Sequence, residues 1–374
     1  MEVVLAEASV KQTWITKFLT EYVRESGFMP YMGTGVGSII RIRNELKDAG
    51  GAYINVPLIT RLKGRGVRGS EVLKGNEDDL GNLNDQIRID WLRNAVKVPK
   101  STSYKTDIDL FDAAKDQLRS WDAEVLRDDI IGALMSVIIA GAPDVNGIAG
   151  NDSAVDYFLA NASQRNAFLV NNADRILFGK SKSNASSGVW ATALATIDNT
   201  DDKLTAATAK LAKRMAKTAG NTTGTHIRPF KSDATAGREW FVMFCNSMAF
   251  RDISEDSTII QANTQARARE GDGIERNPLF QDGDLLYNGI IFREIPEIPT
   301  FSNGTIDVGM NFLCGQSAVG VAYGQDPTLR IDLKEDYEFR PGVAIEELRG
   351  IKKVSYGGQQ YGVVTLINAA VADA

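Results

Sequence analysis

The sequence predicts a mixed α+β protein. Three observations carry that reading: an apolar stripe at helical spacing from Thr106 to Gly141, a second from Asp201 to Ala219, and paired extended runs flanking Asn288-Gly289 and Gly357-Gly358. A helix repeats its buried face every 3.6 residues and a half-buried strand every two, so the two kinds of run separate by pattern alone. The 374 residues suit two domains, or one large domain with insertions. No tandem repeat is visible.

Residues 1 to 27 read as a helix followed by a connector. Val10, Trp14, Phe18 and Tyr22 recur every four residues, with Ile15, Leu19 and Val23 beside them, and Gly27 stands where a C-cap is expected. Gly33, Gly35 and Gly37 follow, a segment that cannot hold a core by itself and reads as an arm lying on something else. From Ala52 to Leu62 the pattern is extended, with Ile54, Val56, Leu58 and Thr60 alternating. Gln86 to Val98 is extended again. Between them Lys63 to Asp85 is rich in glycine and charge, so the whole reads as a hairpin with a long polar tip. Unstructured loops of this length are usually functional or disordered.

Thr106 to Gly141 is the clearest helix. Thr106 can cap it, with Asp109 three residues on. Phe111, Leu118, Trp121, Val125 and Leu126 mark its face, and Ile130 to Ile139 is apolar nearly all round, which predicts burial. At 1.5 Å per residue it would span roughly 50 Å. Pro143 to Asn199 is rich in asparagine and small residues and stays ambiguous. The helix from Asp201 to Ala219 carries Asp201 and Asp202 in its first turn and Lys213, Arg214 and Lys217 in its last, in keeping with the helix dipole, with Gly220 as its cap. Trp240 to Cys245 is a continuous apolar run, the signature of a buried central strand, and Asn246 is placed to cap a short helix after it.

Composition narrows the function. There are 42 Lys+Arg against 48 Asp+Glu, a net charge of −6, and hydrophobic residues make up 43%. That is an ordinary globular balance, and it argues against a chain that coats nucleic acid. No apolar run approaches the ~20 residues of a membrane span, and the N-terminus lacks the pattern of a signal peptide. Cys245 and Cys314 fit a reducing compartment and buried positions. The single histidine, His226, removes most catalytic triads and histidine-based metal sites.

Motifs that could carry chemistry weigh little. Gly64-Arg65-Gly66-Val67-Arg68-Gly69 matches the dinucleotide fingerprint, but the fingerprint needs a helix after it, and the following residues are too few and too glycine-broken. A nucleotide-dependent oxidoreductase therefore stands only as an alternative. Asn76 to Gly81 resembles the start of a calcium loop, yet Leu80 and Ile87 would fall at ligand positions. No cofactor and no metal is expected. The charge pattern of the tip says more. Arg61, Lys63, Arg65 and Arg68 fall within eight residues without an acid among them, and Glu71, Glu77, Asp78, Asp79 and Asp85 follow. Basic and acidic halves on one loop suit pairing with other copies of the chain. A solvated charged loop is the plain alternative.

This order of parts (arm, two-stranded excursion, long helix, mixed body) resembles the major capsid proteins of tailed phages with the Hong Kong 97 fold. Leu73-Lys74-Gly75-Asn76-Glu77-Asp78-Asp79-Leu80, then Ile87-Arg88-Ile89-Asp90 and Arg93-Asn94-Ala95-Val96, look like the capsid family of N-four-like short-tailed phages. So do Cys314-Gly315-Gln316-Ser317-Ala318 and the ending Gly350-Ile351-Lys352-Lys353 with Tyr361-Gly362-Val363. The resemblance implies an N-terminal arm over 1–48, an extended E-loop over 49–105, a peripheral domain with a spine helix over 106–237, an axial domain mostly over 238–349, and a C-terminal return over 350–374. It implies a shell subunit of the virion, built into hexamers and pentamers in the bacterial host cytoplasm. Portal and scaffolding proteins would be its partners, packaged DNA would be touched only non-specifically, and no membrane would be involved. The tip residues Arg61, Lys63, Arg65, Arg68, Glu71, Lys74, Glu77, Asp78 and Asp79 would then contact a neighbouring subunit. Lys63 and Lys74 sit in the loop through which some relatives crosslink, but the Asn and Glu partners have no match here, so the resemblance does not carry crosslinking over to this chain. A cellular encapsulin-type compartment shares the fold and is the nearest alternative.

Overall fold

The computed structural model describes residues 27–105 apart from 61, 63, 65, 71, 79 and 80, and then 110–142, 150–220, 225–233, 238–267, 284–332, 337 and 339–373. The predicted helix over residues 10–23 lies outside them, as do the Thr106 cap and Asp109. The chain forms two compact units.

The larger unit comprises Gly27–Asp90, Arg127–Gly324 and Arg349–Ala374. Its main sheet runs in the order Asp284–Tyr287, Ile290–Glu294, Arg238–Cys245, Asp307–Cys314, Val363–Ala369 and Ile176–Phe178. The central strands are covered on both faces, so their sequences are apolar at consecutive positions. Phe241 to Cys245 are all buried, as is every residue of Val363–Ala369. The helix Ala206–Thr218 packs on this sheet through Ala209, Ala212, Met215 and Ala216, against Phe241, Met243, Phe292, Leu313 and Leu366. Small side chains on that helix face allow close approach, and each buried Phe or Leu of the sheet contributes about 1.5–3 kcal/mol by leaving water.

The smaller unit includes Trp91–Leu126 and Gln325–Leu348. Its apolar contacts centre on Leu118, Val343 and Ile345, with Phe111, Trp121 and Leu329 partly buried around them. Strand Asp90–Lys97 joins Gly342–Lys353 in a second sheet.

Several sequence expectations hold. Asn288-Gly289 turns a hairpin between Asp284–Tyr287 and Ile290–Glu294, with both residues at positive φ (51° and 72°). The Asn246 side chain caps helix Ser247–Ser254 by accepting from the Ala249 N–H at 2.8 Å. Cys245 and Cys314 are free and buried.

Four expectations need correction. The long helix is Leu110–Met135 and does not reach Gly141. Val137–Gly141 is a strand, paired antiparallel with Gly150–Val155. The run Val137-Ile138-Ile139 is β-branched, and periodicity alone does not separate a short apolar strand from a helix segment. The 26-residue helix spans about 39 Å. Asp201 and Asp202 precede the second helix, whose N-cap is Thr205. The buried Asp202 instead accepts from the Lys180 and Asp198 backbone N–H groups at 2.8 and 3.1 Å. The extended run Gln86–Val98 is two strands, Asn82–Arg88 and Asp90–Lys97, which belong to different sheets. Finally, the Gly357-Gly358 hairpin is only the short pair Ser355–Tyr356 and Gln359–Gln360, while the flanking long strands serve separate sheets.

The end of the long helix is set by a lysine far along the chain. Lys353 is 1% exposed and donates to the Leu134 carbonyl at 3.0 Å and the Ser136 carbonyl at 2.7 Å. Those are acceptors at the helix C-terminus that no helical N–H reaches. The ammonium also lies 5.0 Å from the Phe168 ring centroid. Burial holds the Lys353 amine down to about 7, from an ordinary 10.5.

This packing can be tested at two residues. Leu134 is 1% exposed, so Leu134→Asp places an unpaired charge in the core and costs several kcal/mol. Loss of soluble, cooperatively melting protein is expected, and normal yield of correctly assembled particles would refute the burial argument. For Lys353, the unfolded chain holds a proton between pH 7 and 10.5 that the folded chain lacks, so stability rises with pH across that window and is flat below it. The slope approaches about 1.4 kcal/mol per pH unit. Urea midpoints at about pH 6, 7.5 and 9 should therefore climb for the native sequence relative to Lys353→Met. Parallel curves would show that the amine does not titrate there.

Candidate assembly surface

The hairpin Tyr53–Ile59 with Asn82–Arg88 has an unbroken antiparallel register from Tyr53↔Arg88 to Ile59↔Asn82. One further pair of residues closes its end, the Thr60 N–H donating to the Gly81 carbonyl at 2.9 Å. Beyond that point the chain opens into the polar tip.

Of the nine tip residues expected to act between subunits, Arg68, Lys74, Glu77 and Asp78 are all exposed. Arg61, Lys63, Arg65, Glu71 and Asp79 lie outside the described residues. Asp78 accepts from the Gly64 N–H at 2.6 Å, which ties the acidic side of the tip to the basic side through the backbone. Glu77 accepts from the Gly75 N–H at 2.7 Å. Among the described residues no ion pair joins the two halves. Gly66, Gly69 and Gly75 have φ of 66°, 67° and 93°, a region that glycine enters at no steric cost. Val72 and Leu73 are 69% and 62% exposed, so the tip offers apolar surface beside its charges. The chain returns from the tip as an antiparallel strand, and no helix follows Gly69 among the described residues of the loop. Among the described residues the strand, loop and helix order of a dinucleotide site is therefore not formed there.

Asp85, grouped with the tip from sequence, belongs to the root of the hairpin and is buried. Its carboxylate pairs with the buried Lys352 and accepts from the Ser355 N–H at 3.1 Å. Lys352 also donates to the Asp152 carbonyl at 2.7 Å. Burial pushes the Asp85 carboxyl up, and the Lys352 charge opposes that shift. Asp152 in turn accepts from the Gly358 N–H at 2.8 Å, and the Tyr356 hydroxyl donates to the Val56 carbonyl at 3.1 Å. A second buried cation holds the following residues of the C-terminal segment. Arg175 donates to the carbonyls of Gln360, Tyr361 and Thr225 and to the Thr225 hydroxyl.

Sequence reasoning does not find these anchoring groups as a network, although the chain carries a sign of them. Lys352-Lys353 stands between Ile351 and Val354 at the end of a strand, where two adjacent charges point to opposite faces and, once buried, must both find partners. The Gly350 before them also has a definite role. A Cβ there would stand 1.7 Å from the Arg88 carbonyl oxygen, so only glycine lets the two strands approach. Similarly, the Gln316 N–H donates to the Arg228 carbonyl and the Ser317 N–H to the Ser38 carbonyl, both at 2.9 Å. The segment Cys314 to Ala318 is thus a crossing point of three chain segments. His226 is half-buried, with Nδ1 2.8 Å from the Ala219 carbonyl oxygen. Among the described residues no three His, Cys, Asp or Glu side chains are grouped to hold a metal, and no helix is long and apolar enough to cross a membrane.

The arrangement is that of an anchored, projecting loop, and comparison with known proteins gives it a context. The profile of a family described as phage capsid protein matches residues 4–372. A chain in the capsid asymmetric unit of cyanophage Pam1 is 36% identical, with a TM-score of 0.88 over 100% of both chains. A chain from the capsid of Ralstonia phage GP4 is 21% identical, with a TM-score of 0.74 over 100% of both, a likeness of fold. The major capsid protein of Pseudomonas phage KPP25 is 24% identical over 96% of this chain and 95% of its own length. The α+β capsid fold expected from the sequence is the fold of these neighbours, and the chain belongs to the phage capsid protein family.

Proposed function

We propose that this capsid protein is the major repeating subunit of an icosahedral head, assembled into hexamers and pentamers around packaged double-stranded DNA. The observation that carries the reading is the full-length likeness to the cyanophage Pam1 capsid chain at 36% identity. In this reading residues 1–48 are an arm, 49–105 an E-loop, 106–237 a peripheral domain, 238–349 mostly an axial domain, and 350–374 the return to the peripheral domain. Assembly takes place in the bacterial host cytoplasm, with portal and scaffolding proteins as partners and only non-specific contact with DNA. The net charge of −6 supports that last point, since tight DNA binding needs a basic surface. The work is assembly and not catalysis, and it uses no cofactor. Purified protein should show no cofactor absorbance, and stoichiometric NAD or ATP binding abolished by Gly66→Val would overturn this.

The tip is proposed as an intersubunit contact. It projects past the last ladder pair, exposes both charge signs and carries uncovered Val72 and Leu73. Exposed ion pairs are worth only about 0–1 kcal/mol each, but a closed shell repeats them in every subunit. Lys63→Glu combined with Arg65→Glu and Arg68→Glu should leave the subunit folded by circular dichroism. Particle yield or shell melting temperature, measured after co-expression with the neighbouring gene products, should fall. Wild-type shells from this variant would make the tip a solvated loop.

A further inference from the structure

The strand Ile40–Arg43 alternates apolar and basic residues, so Arg41 and Arg43 leave the same face of it. That face borders a cavity of about 150 Å³ whose other walls include Arg228, Ser317, Tyr356 and Tyr361. Three arginines line this small space, and no carboxylate is among the described residues lining it. Arg43 has its ion-pair contact with Glu45, at 3.9 Å, and the Glu45 side chain is itself 63% exposed. Burial, and then repulsion from Arg41, hold the Arg43 guanidinium below its ordinary value. The walls are fixed by backbone contacts: Gln316 to Arg228, Ser317 to Ser38, and the parallel pairing of Ile40–Arg43 with residues 319–322. Ser317 sits at φ 51°, a conformation that costs a non-glycine residue energy and that the crossing of segments imposes.

Such a pocket takes one oxyanion, and guanidinium groups bind carboxylates through paired N–H donors. A DNA duplex is the weaker fit. It presents a phosphate charge about every 1.7 Å along its axis and is bound by extended basic surfaces, whereas this site is a single recess in a chain of net charge −6. The chain does carry exposed carboxylates on a projecting element, Glu77 and Asp78 of the tip. We propose that the Arg41–Arg43–Arg228 pocket receives a carboxylate from the acidic half of a second copy's tip, so that the root of one subunit's loop is the receptor for a neighbour's tip. This rests on the reading of the tip as an intersubunit contact and names the surface it meets.

The test uses shells made by co-expression with the neighbouring gene products. Arg228→Lys introduces an amine at an exposed position, and a zero-length carbodiimide then joins it to any carboxylate it touches. Shells assembled from mixed isotope-labelled and unlabelled chains should yield an intermolecular crosslink from position 228 to Glu77 or Asp78 by mass spectrometry. An intramolecular crosslink only, or none to the tip, overturns the proposal. Independently, Arg228→Glu, alone and with Arg41→Glu, should lower particle yield by about tenfold. Glu77→Arg with Asp78→Arg should restore much of it, a recovery that a merely structural role for the arginines would not produce. Loss without rescue overturns the proposal, and so do shells of normal yield whose DNA content has fallen, which would assign the pocket to phosphate. If the Lys63/Arg65/Arg68 variant assembles normally, the underlying reading of the tip fails. If that variant is impaired while the pocket variants are not, only the present inference fails.

Discussion

The buried ion pair between Asp85 and Lys352 is the contact on which the rest of the loop geometry depends. Neither group could be left in that position alone. An isolated buried charge is strongly destabilising, and breaking one side of such a pair typically costs about 3–5 kcal/mol. Asp85 gathers the Lys352 ammonium and the Ser355 N–H, and Lys352 also reaches the Asp152 carbonyl. Through Asp152 the same network holds the Gly358 N–H of the short C-terminal hairpin. Segments distant in sequence are therefore fixed by one set of charges. A buried pair of this kind contributes little net stability over an apolar replacement. Its effect is to allow one arrangement of the strands, because any other leaves a charge without its partner.

The next residue acts on the other face of the strand. Lys353 closes the end of the long helix by donating to the Leu134 carbonyl of its last turn and to the Ser136 carbonyl just beyond it, and it lies over Phe168. Consecutive lysines on a strand thus bind different neighbours, Lys352 the root of the projecting hairpin and Lys353 the helix terminus. This explains why the helix stops at Met135 while the apolar run continues to Ala140. The backbone carbonyls there already have a partner, and the β-branched residues after Ser136 find a strand to pair with.

A shell subunit benefits from this division between root and tip. The root is ordered by a full ladder and by buried charges, so the direction of the loop is set by the fold. Among the described residues, the Gly64 N–H donating to Asp78 ties the two sides of the tip together. In the proposed assembly, a root held this way points the tip of every identical subunit in the same direction relative to its own fold.

Local pattern in the chain is enough for the α+β class, the long helix, the central strand ending at Cys245, the Asn288-Gly289 turn and the polar excursion between two strands. All of these rest on periodicity, turn chemistry and capping, each readable within a window of a few residues. The order of the parts also suffices for the resemblance to phage capsids. Where the long helix ends, that Asp85 belongs to the root and not to the tip, and that Asp202 serves a loop and not a helix turn are settled only by folding. In the first two cases the deciding partner is remote. Lys353 lies 219 residues from Leu134 and 217 from Ser136, and Lys352 lies 267 residues from Asp85. Asp202 likewise takes its Lys180 N–H from 22 residues away, beyond the reach of any helical turn. A charged or β-branched residue looks the same in sequence whether water or a distant partner satisfies it, and only the folded chain brings that partner within hydrogen-bonding reach.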